Sequence, residues 1–254
     1  MLGSTPDVMT DAAREFYVDH FRLNTFLADI VLSYTVAKAK SPITNSLGPT
    51  EHQLKDPLLE AAINLYEGAQ SYLIVQMVVC RAVDNFLSYL SDLLAVVFRT
   101  RPETMKSDEG EKLKDILQFT DMQELIAYLA EQRVFKLSYK TFADLAEFME
   151  KRIGLPVTTD PELTEFVDVA VNIRNLIVHN RGRVDRRFLQ RNPGIPDSKL
   201  GHEFVYSHRG ARDILDHLEL VVRDLDVRAA AKLNLPTPYK RQDILPQRAA
   251  FIAL

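Results

Sequence analysis

The stretch Pro57 to Val97, PLLEAAINLYEGAQSYLIVQMVVCRAVDNFLSYLSDLLAVV, decides the fold. Leu58, Ala62, Leu65, Ala69, Tyr72, Gln76, Val79, Val83, Phe86, Leu90, Leu93 and Val97 recur at steps of three and four, which aligns them on one face of an α-helix. Pro57 stands where a first helical turn tolerates proline. Unbroken, this helix would be about 60 Å long. That is too long for a compact domain, so the helix projects or bends, and Gly68 is the place for a bend. Upstream, Ala13, Phe16, His20, Leu23, Leu27, Ile30, Tyr34 and Ala37 form a second seam, with Thr10 as its N-cap. Two such seams predict a long antiparallel helical pair. His20 and Gln76 interrupt them and read as buried polar residues that set register.

The rest of the chain also reads as helices with short connecting loops. Ser41 to Asp56 is a loop with Pro42, Gly48 and Pro49, and Pro102 to Gly110 is a polar linker. Thr120 and Gln123 have the spacing of a capping box. A helix from Phe142 to Ile153 lies between Thr141 and Gly154. The next opens at Asp160-Pro161-Glu162 and continues to about His179, with Gly182 ending it. Arg183 to Leu200 reads as a loop with short turns, His202 to Tyr206 as a short strand, and Ala211 to Leu233 as the last helix. The expected fold is an all-α helical bundle with at most a minor β element. Three parts follow: residues 1–56, an N-terminal helix and loop packing on the bundle; 57–235, the helical domain; and 236–254, an extended tail that docks on a neighbour or stays disordered.

Composition narrows the function classes. With 46% hydrophobic and 26% charged residues, the 254-residue chain is neither disordered, collagen-like nor a disulfide mini-protein. Its one cysteine, Cys80, cannot form an internal disulfide, which fits a reducing cytoplasm. The net charge of −4 argues against a surface given over wholly to nucleic acid but leaves room for a local basic patch. The N-terminus lacks the basic start and apolar core of a targeting signal. The longest apolar stretch, Tyr72 to Cys80, falls short of the ~20 residues of a spanning helix. A cytoplasmic protein without a membrane segment is expected.

The segment with chemical content is Asp160 to Arg191, DPELTEFVDVAVNIRNLIVHNRGRVDRRFLQR. Leu163, Val167, Ala170, Ile173 and Ile177 make an apolar stripe, and Arg174 falls within it. An unpaired buried guanidinium costs several kcal/mol, so Arg174 must meet an acid or lie at an interface or anionic pocket. Asn172, Asn175 and His179 cluster on another side of the helix, with Asn175 and His179 spaced so that they can touch. Arg174 and His179 stand about 140° apart on a regular helix. To act together, they need either an unwound helix end or two subunits. Between Arg174 and Arg191, six arginines (Arg174, Arg181, Arg183, Arg186, Arg187, Arg191) face one acid, Asp185. Such a cluster suits an RNA backbone, or it is a solvated loop paired with acids elsewhere. Phe188 reads as a core anchor, with stacking on a base as the alternative.

Arg174-Asn175-Leu176-Ile177-Val178-His179 resembles the Arg-polar-x3-His motif of the HEPN (higher eukaryotes and prokaryotes nucleotide-binding) family. The following Asn180-Arg181-Gly182 and the late-helix setting strengthen the likeness, which covers about Gln70 to Leu233. The resemblance implies a cofactor-free, metal-independent endoribonuclease acting as a homodimer. His179 would exchange the proton of the attacking 2′-hydroxyl or the leaving 5′-oxygen, Arg174 would hold the non-bridging phosphate oxygens, and Asn175 would orient His179 or the phosphate. The products would be 2′,3′-cyclic phosphate and 5′-hydroxyl ends. Asn180, Arg181, Arg183, Arg186, Arg187 and Arg191 are the candidate RNA contacts. By analogy the setting is a toxin or prokaryotic defence effector, with an antitoxin or regulatory protein as partner.

Two rival readings remain. One is a non-catalytic module binding nucleotides, RNA or protein through the same groove. The other is an assembly protein in which Arg174 pairs with an acid. Phosphate-loop, dinucleotide-binding, His-Glu-x-x-His and nucleophile-elbow motifs are absent. His202 and His208, with Asp213, Asp216 and His217 nearby, read as scattered polar residues and not as a metal site. Asp224-Leu225-Asp226 reads as a solvated helix face.

Overall fold

Local signals set most of the helices. In the computed structural model, residues 8–45, 57–106, 112–240, 242 and 244 are described. α1 (Asp11–Asn45) begins behind Thr10, whose Oγ1 accepts from the Ala13 amide at 3.2 Å. It runs on through Ser41 and Pro42, beyond the expected start of the loop; the loop's remainder lies outside the described residues. α2 (Pro57–Glu67) and α3 (Ala69–Thr100) are separated at Gly68. A Cβ at Gly68 would stand 2.6 Å from the Asn64 carbonyl oxygen, so the bend relies on a residue without one. The bend also ends the burial of the seam. Leu58 is 79% exposed, whereas Val79, Val83, Phe86, Leu90 and Leu93 are fully buried.

A 3₁₀ turn (Pro102–Met105) and α4 (Leu113–Ile116) precede α5 (Met122–Ser138). The expected capping box at Thr120 does not form: Asp121 is the N-cap residue and makes no side-chain cap bond. α6 (Phe142–Phe148) does carry a reciprocal box between Thr141 and Asp144. It passes into a π turn (Met149–Ile153) that ends at left-handed Gly154. α7 (Pro161–Asn180) follows. The expected loop after it contains a helix, α8 (Arg186–Arg191), and a 3₁₀ turn (Asp197–Lys199). The expected strand at His202–Tyr206 is reduced to one bridge between Arg183 and Glu203. α9 spans His208–Leu233. The described chain is all-α, 77% helical, with a single two-stranded sheet. β1 (Val8–Met9) pairs antiparallel with β2 (Tyr239–Lys240), Val8 opposite Lys240.

The chain forms two compact units. One comprises Met1–Asp19, Asn85–Asp168 and Leu218–Leu254, the other His20–Asp84 and Val169–His217. In the first, Phe16, Phe86, Tyr89, Leu90, Phe98 and Leu218 are among the buried side chains. Phe16 meets Tyr89 edge-on at 5.9 Å, and the Asn85 amide donates to the Phe16 carbonyl at 3.0 Å. Asp226, expected on a solvated face, is 3% exposed and accepts from the Thr10 amide (3.0 Å) and hydroxyl (2.5 Å). Asp224 does face solvent and accepts from Arg228 at 2.7 Å. Burial pushes the Asp226 carboxyl above the usual range, against the pull of the two Thr10 bonds.

In the second unit, Leu27, Ile30, Val75, Val79, Ile173 and Ile214 are buried. His20, 5% exposed, contacts the Asn24 amide at 2.7 Å, in keeping with a buried polar position in the seam. Tyr34, Tyr66 and His208 stack in a column with centroid spacings of 4.0 and 4.2 Å, and burial holds the His208 imidazole below its ordinary range. By length and composition alone, Gln70–Thr100 could cross a membrane, which the shorter apolar stretch read from sequence did not reveal; 50% of that window is buried, as in a core helix.

Candidate functional site

The geometry of α7 is set at its ends. Asp160 Oδ1 accepts from the amides of Glu162 (2.9 Å) and Leu163 (3.5 Å) at its start. At its finish Arg181 and Gly182 adopt φ of +54° and +71°, and the Gly182 amide returns to the Leu176 carbonyl at 3.1 Å. Between these ends the helix is regular through Asn180. No unwinding brings His179 towards Arg174, which removes one of the two ways they could act together.

Arg174 lies on the flank of α7 that faces α3. Its Nε donates to Asp84 Oδ1 at 2.8 Å and its Nη1 to Asn175 Oδ1 at 3.0 Å; Nη2 has no hydrogen-bond partner among the described residues. The Arg174 and Asp84 side chains are 24% and 40% exposed, so the ion pair is open to solvent on one side. Asn175 therefore orients Arg174 and does not use this oxygen on His179. Asp84 is the residue that the sequence reading missed: it stands 90 positions away and no local pattern marks it.

Tyr72, Gln76, Cys80 and Asp84, at steps of four, lie along the side of α3 towards α7. Asp84 meets Arg174, while Tyr72 Oη and Gln76 Nε2 would lie 2.6 and 2.7 Å from a Cβ on Gly182. Within this unit α3 and α7 therefore run antiparallel. Burial, with the Asp84 charge adding to it, pushes the Cys80 thiol up to about 11, so the thiol stays neutral and poorly nucleophilic. Gly182 is confined twice over, by its left-handed backbone and by the two polar side chains against it. Gly182→Ala is expected to cost about 2 kcal/mol, read as a loss of roughly 4–8 °C in Tm by calorimetry. An unchanged Tm would show that the end of α7 closes without these constraints.

The surface beside Arg174 is apolar and open. Leu73, Met77 and Val178 are 57%, 59% and 50% exposed. On the helical wheel Val178 and Asn175 fall between Arg174 and His179, and His179 is exposed on the far flank. No family model matches the chain, and no curated protein or solved structure matches it.

Beyond α7 the arginines are held in different ways. Arg181, Arg183, Arg186, Arg187 and Arg191 are all exposed, and none forms an ion pair with a carboxylate among the described residues. Arg191 Nη1 instead donates to the buried Asn172 Oδ1 at 3.3 Å. Asn180 turns its side-chain amide to the Arg183 carbonyl and so braces the turn. Phe188 is 4% exposed and meets Phe204 edge-on, the core anchor expected of it. Among the described residues no group of three or more His, Cys, Asp or Glu could hold a metal ion. His208 belongs to the aromatic column, and Asp216 pairs with Arg212 at 3.2 Å.

Proposed function

We propose that the chain is a HEPN-type, metal-independent endoribonuclease working as a homodimer. The observation that carries this reading is the exposed ridge of α7. Arg174 and His179 flank half-exposed Val178 on a regular helix, and each is turned away from the other within one copy. A second copy laid on this ridge about a twofold axis would bring Arg174 of one chain towards His179 of the other. Leu73, Met77 and Val178 give that contact apolar surface to bury.

The chemistry follows from the residue types. The 2′-oxygen attacks phosphorus and the bond to the 5′-oxygen breaks, leaving a 2′,3′-cyclic phosphate and a 5′-hydroxyl. A base removes the proton of the 2′-hydroxyl and an acid returns one to the leaving 5′-oxygen; imidazole suits either role near neutral pH. The guanidinium of Arg174, fixed through Nε and Nη1, presents Nη2 to the charge building on the non-bridging oxygens. The unpaired arginines after α7 would attract and track the strand. By analogy the reaction belongs to a cytoplasmic toxin or defence effector governed by a second protein.

Mixing is the sharpest test of the shared site. Arg174→Ala and His179→Ala chains, each inactive alone, are expected to regain about a quarter of wild-type cleavage when co-refolded, because half the dimers are mixed and each has one intact composite site. No recovery in verified mixed dimers would rule out a site shared between copies. The Asp84 pair favours a second reading, an assembly protein in which Asp84 holds Arg174 for structure. A wild type that self-associates but neither binds nor cuts RNA would select it, whereas RNA binding without turnover would select the non-catalytic module.

A further inference from the structure

We propose that Arg191, clamped by Asn172, holds a phosphate of the RNA strand flanking the scissile one, with Asn172 as the positioning residue of this second phosphate subsite. The inference rests on the reading of the α7 ridge as a phosphodiester site. Asn172 shares a side of α7 with Asn175 and His179 and lies about 4.5 Å along the axis from the first and 10.5 Å from the second. It is 6% exposed, and its Oδ1 accepts from Arg191 Nη1 at 3.3 Å.

The clamp differs in kind from the one on Arg174. Asp84 brings a negative charge to Arg174, whereas an amide oxygen directs the Arg191 guanidinium without cancelling its charge. The remaining N–H groups of Arg191 keep their full attraction for an anionic oxygen. The base of the side chain is also fixed. Asp185 Oδ1 accepts from the Phe188 amide at 2.7 Å, Phe188 is buried, and buried Asn192 donates to the Phe188 carbonyl at 2.8 Å. Arg187, one turn earlier on α8 and exposed, continues the same side outward. An exposed arginine that is oriented but not neutralised, held by a residue one turn from the one bonded to Arg174, matches a backbone phosphate of a single strand. It offers nothing that reads a base.

Two measurements on the full chain test this. The first is binding of a 2′-O-methyl RNA oligomer, which cannot be cut, across a salt series. Arg191→Ala is expected to lower the slope of log K against log salt by about 0.7, the share of one single-strand phosphate. Arg191→Lys should keep the slope, and Asn172→Asp, which sets a carboxylate on the guanidinium, should lose it. The second uses oligomers with one ribonucleotide among deoxynucleotides, so that a single bond can be cut, and an uncharged methylphosphonate on either side of it. At one of the two positions the wild type should lose about tenfold in kcat/KM, and Arg191→Ala should lose nothing more. An unchanged slope in Arg191→Ala, or losses that multiply at both positions, would overturn the subsite. A wild type that shows the slope effect but cuts nothing would remove the nuclease reading and leave the phosphate site standing.

Discussion

Replacing His179 by alanine is expected to lower RNA cleavage in excess EDTA by about 10²–10⁴-fold while leaving stability within about 0.5 kcal/mol. The second half of the expectation comes from its setting. His179 is exposed in the last turn of α7, whose end is closed by backbone bonds and the Gly182 turn. Its loss removes a proton carrier but no core contact. Arg174→Ala should also abolish cutting, yet it leaves Asp84 without its guanidinium, so a modest loss of Tm is expected with it. The comparison uses mixed RNA, circular dichroism melts and detection of cyclic-phosphate ends. Equal cutting by all three proteins would trace the activity to a contaminant and remove the catalytic assignment. A wild type that binds RNA but never cuts would place the chain among non-catalytic modules.

The largest structural effect is expected at Asp226. Asp226→Ala removes the acceptor of the Thr10 amide and hydroxyl within a buried site, and a cost of about 3 kcal/mol is expected. Urea unfolding would read it as a lower midpoint at unchanged m. The pH dependence distinguishes this carboxyl from an ordinary one. Its folded pKa is raised by burial, so the folded state holds the proton more tightly than the unfolded chain. The stability it contributes is fully present below the unfolded carboxylate range and is lost as pH rises through the folded pKa. The cost of Asp226→Asn should therefore shrink as pH rises through that window. A cost that grew with pH would mean a depressed pKa and a different balance between burial and the Thr10 bonds.

What could be read from residues alone divides by range. Asp160, Thr141 and Gly182 act within a few positions of themselves, so the bounds of α6 and α7 were visible, as was the break at Gly68. The burial of Asp226 does not show locally, because Asp-Leu-Asp looks like any solvated turn of helix until Thr10, 216 residues away, covers one of its aspartates. β1 and β2 have two residues each, too few for an alternating pattern to register. α8, with six residues, is similarly too short to be told from a turn-rich loop. Thr120 has the right spacing for a cap, but the helix starts one residue too late to use it. At the candidate site, Arg174 on an apolar stripe called for a partner without naming Asp84. The arginine cluster left open whether acids neutralise it; Asp84 pairs with Arg174, and among the described residues none of the five arginines after α7 is ion-paired.

The bond between Thr10 and Asp226 also bears on the order in which the chain can fold during synthesis. At about 5–20 residues per second, Asp226 is made some 10–40 s after Thr10. For that interval the start of α1 has no access to its native acceptor. Any factor that engages the nascent chain there meets no native competitor until Asp226 has been made, so the synthesis of α9, and not that of α1, releases this segment to its final place.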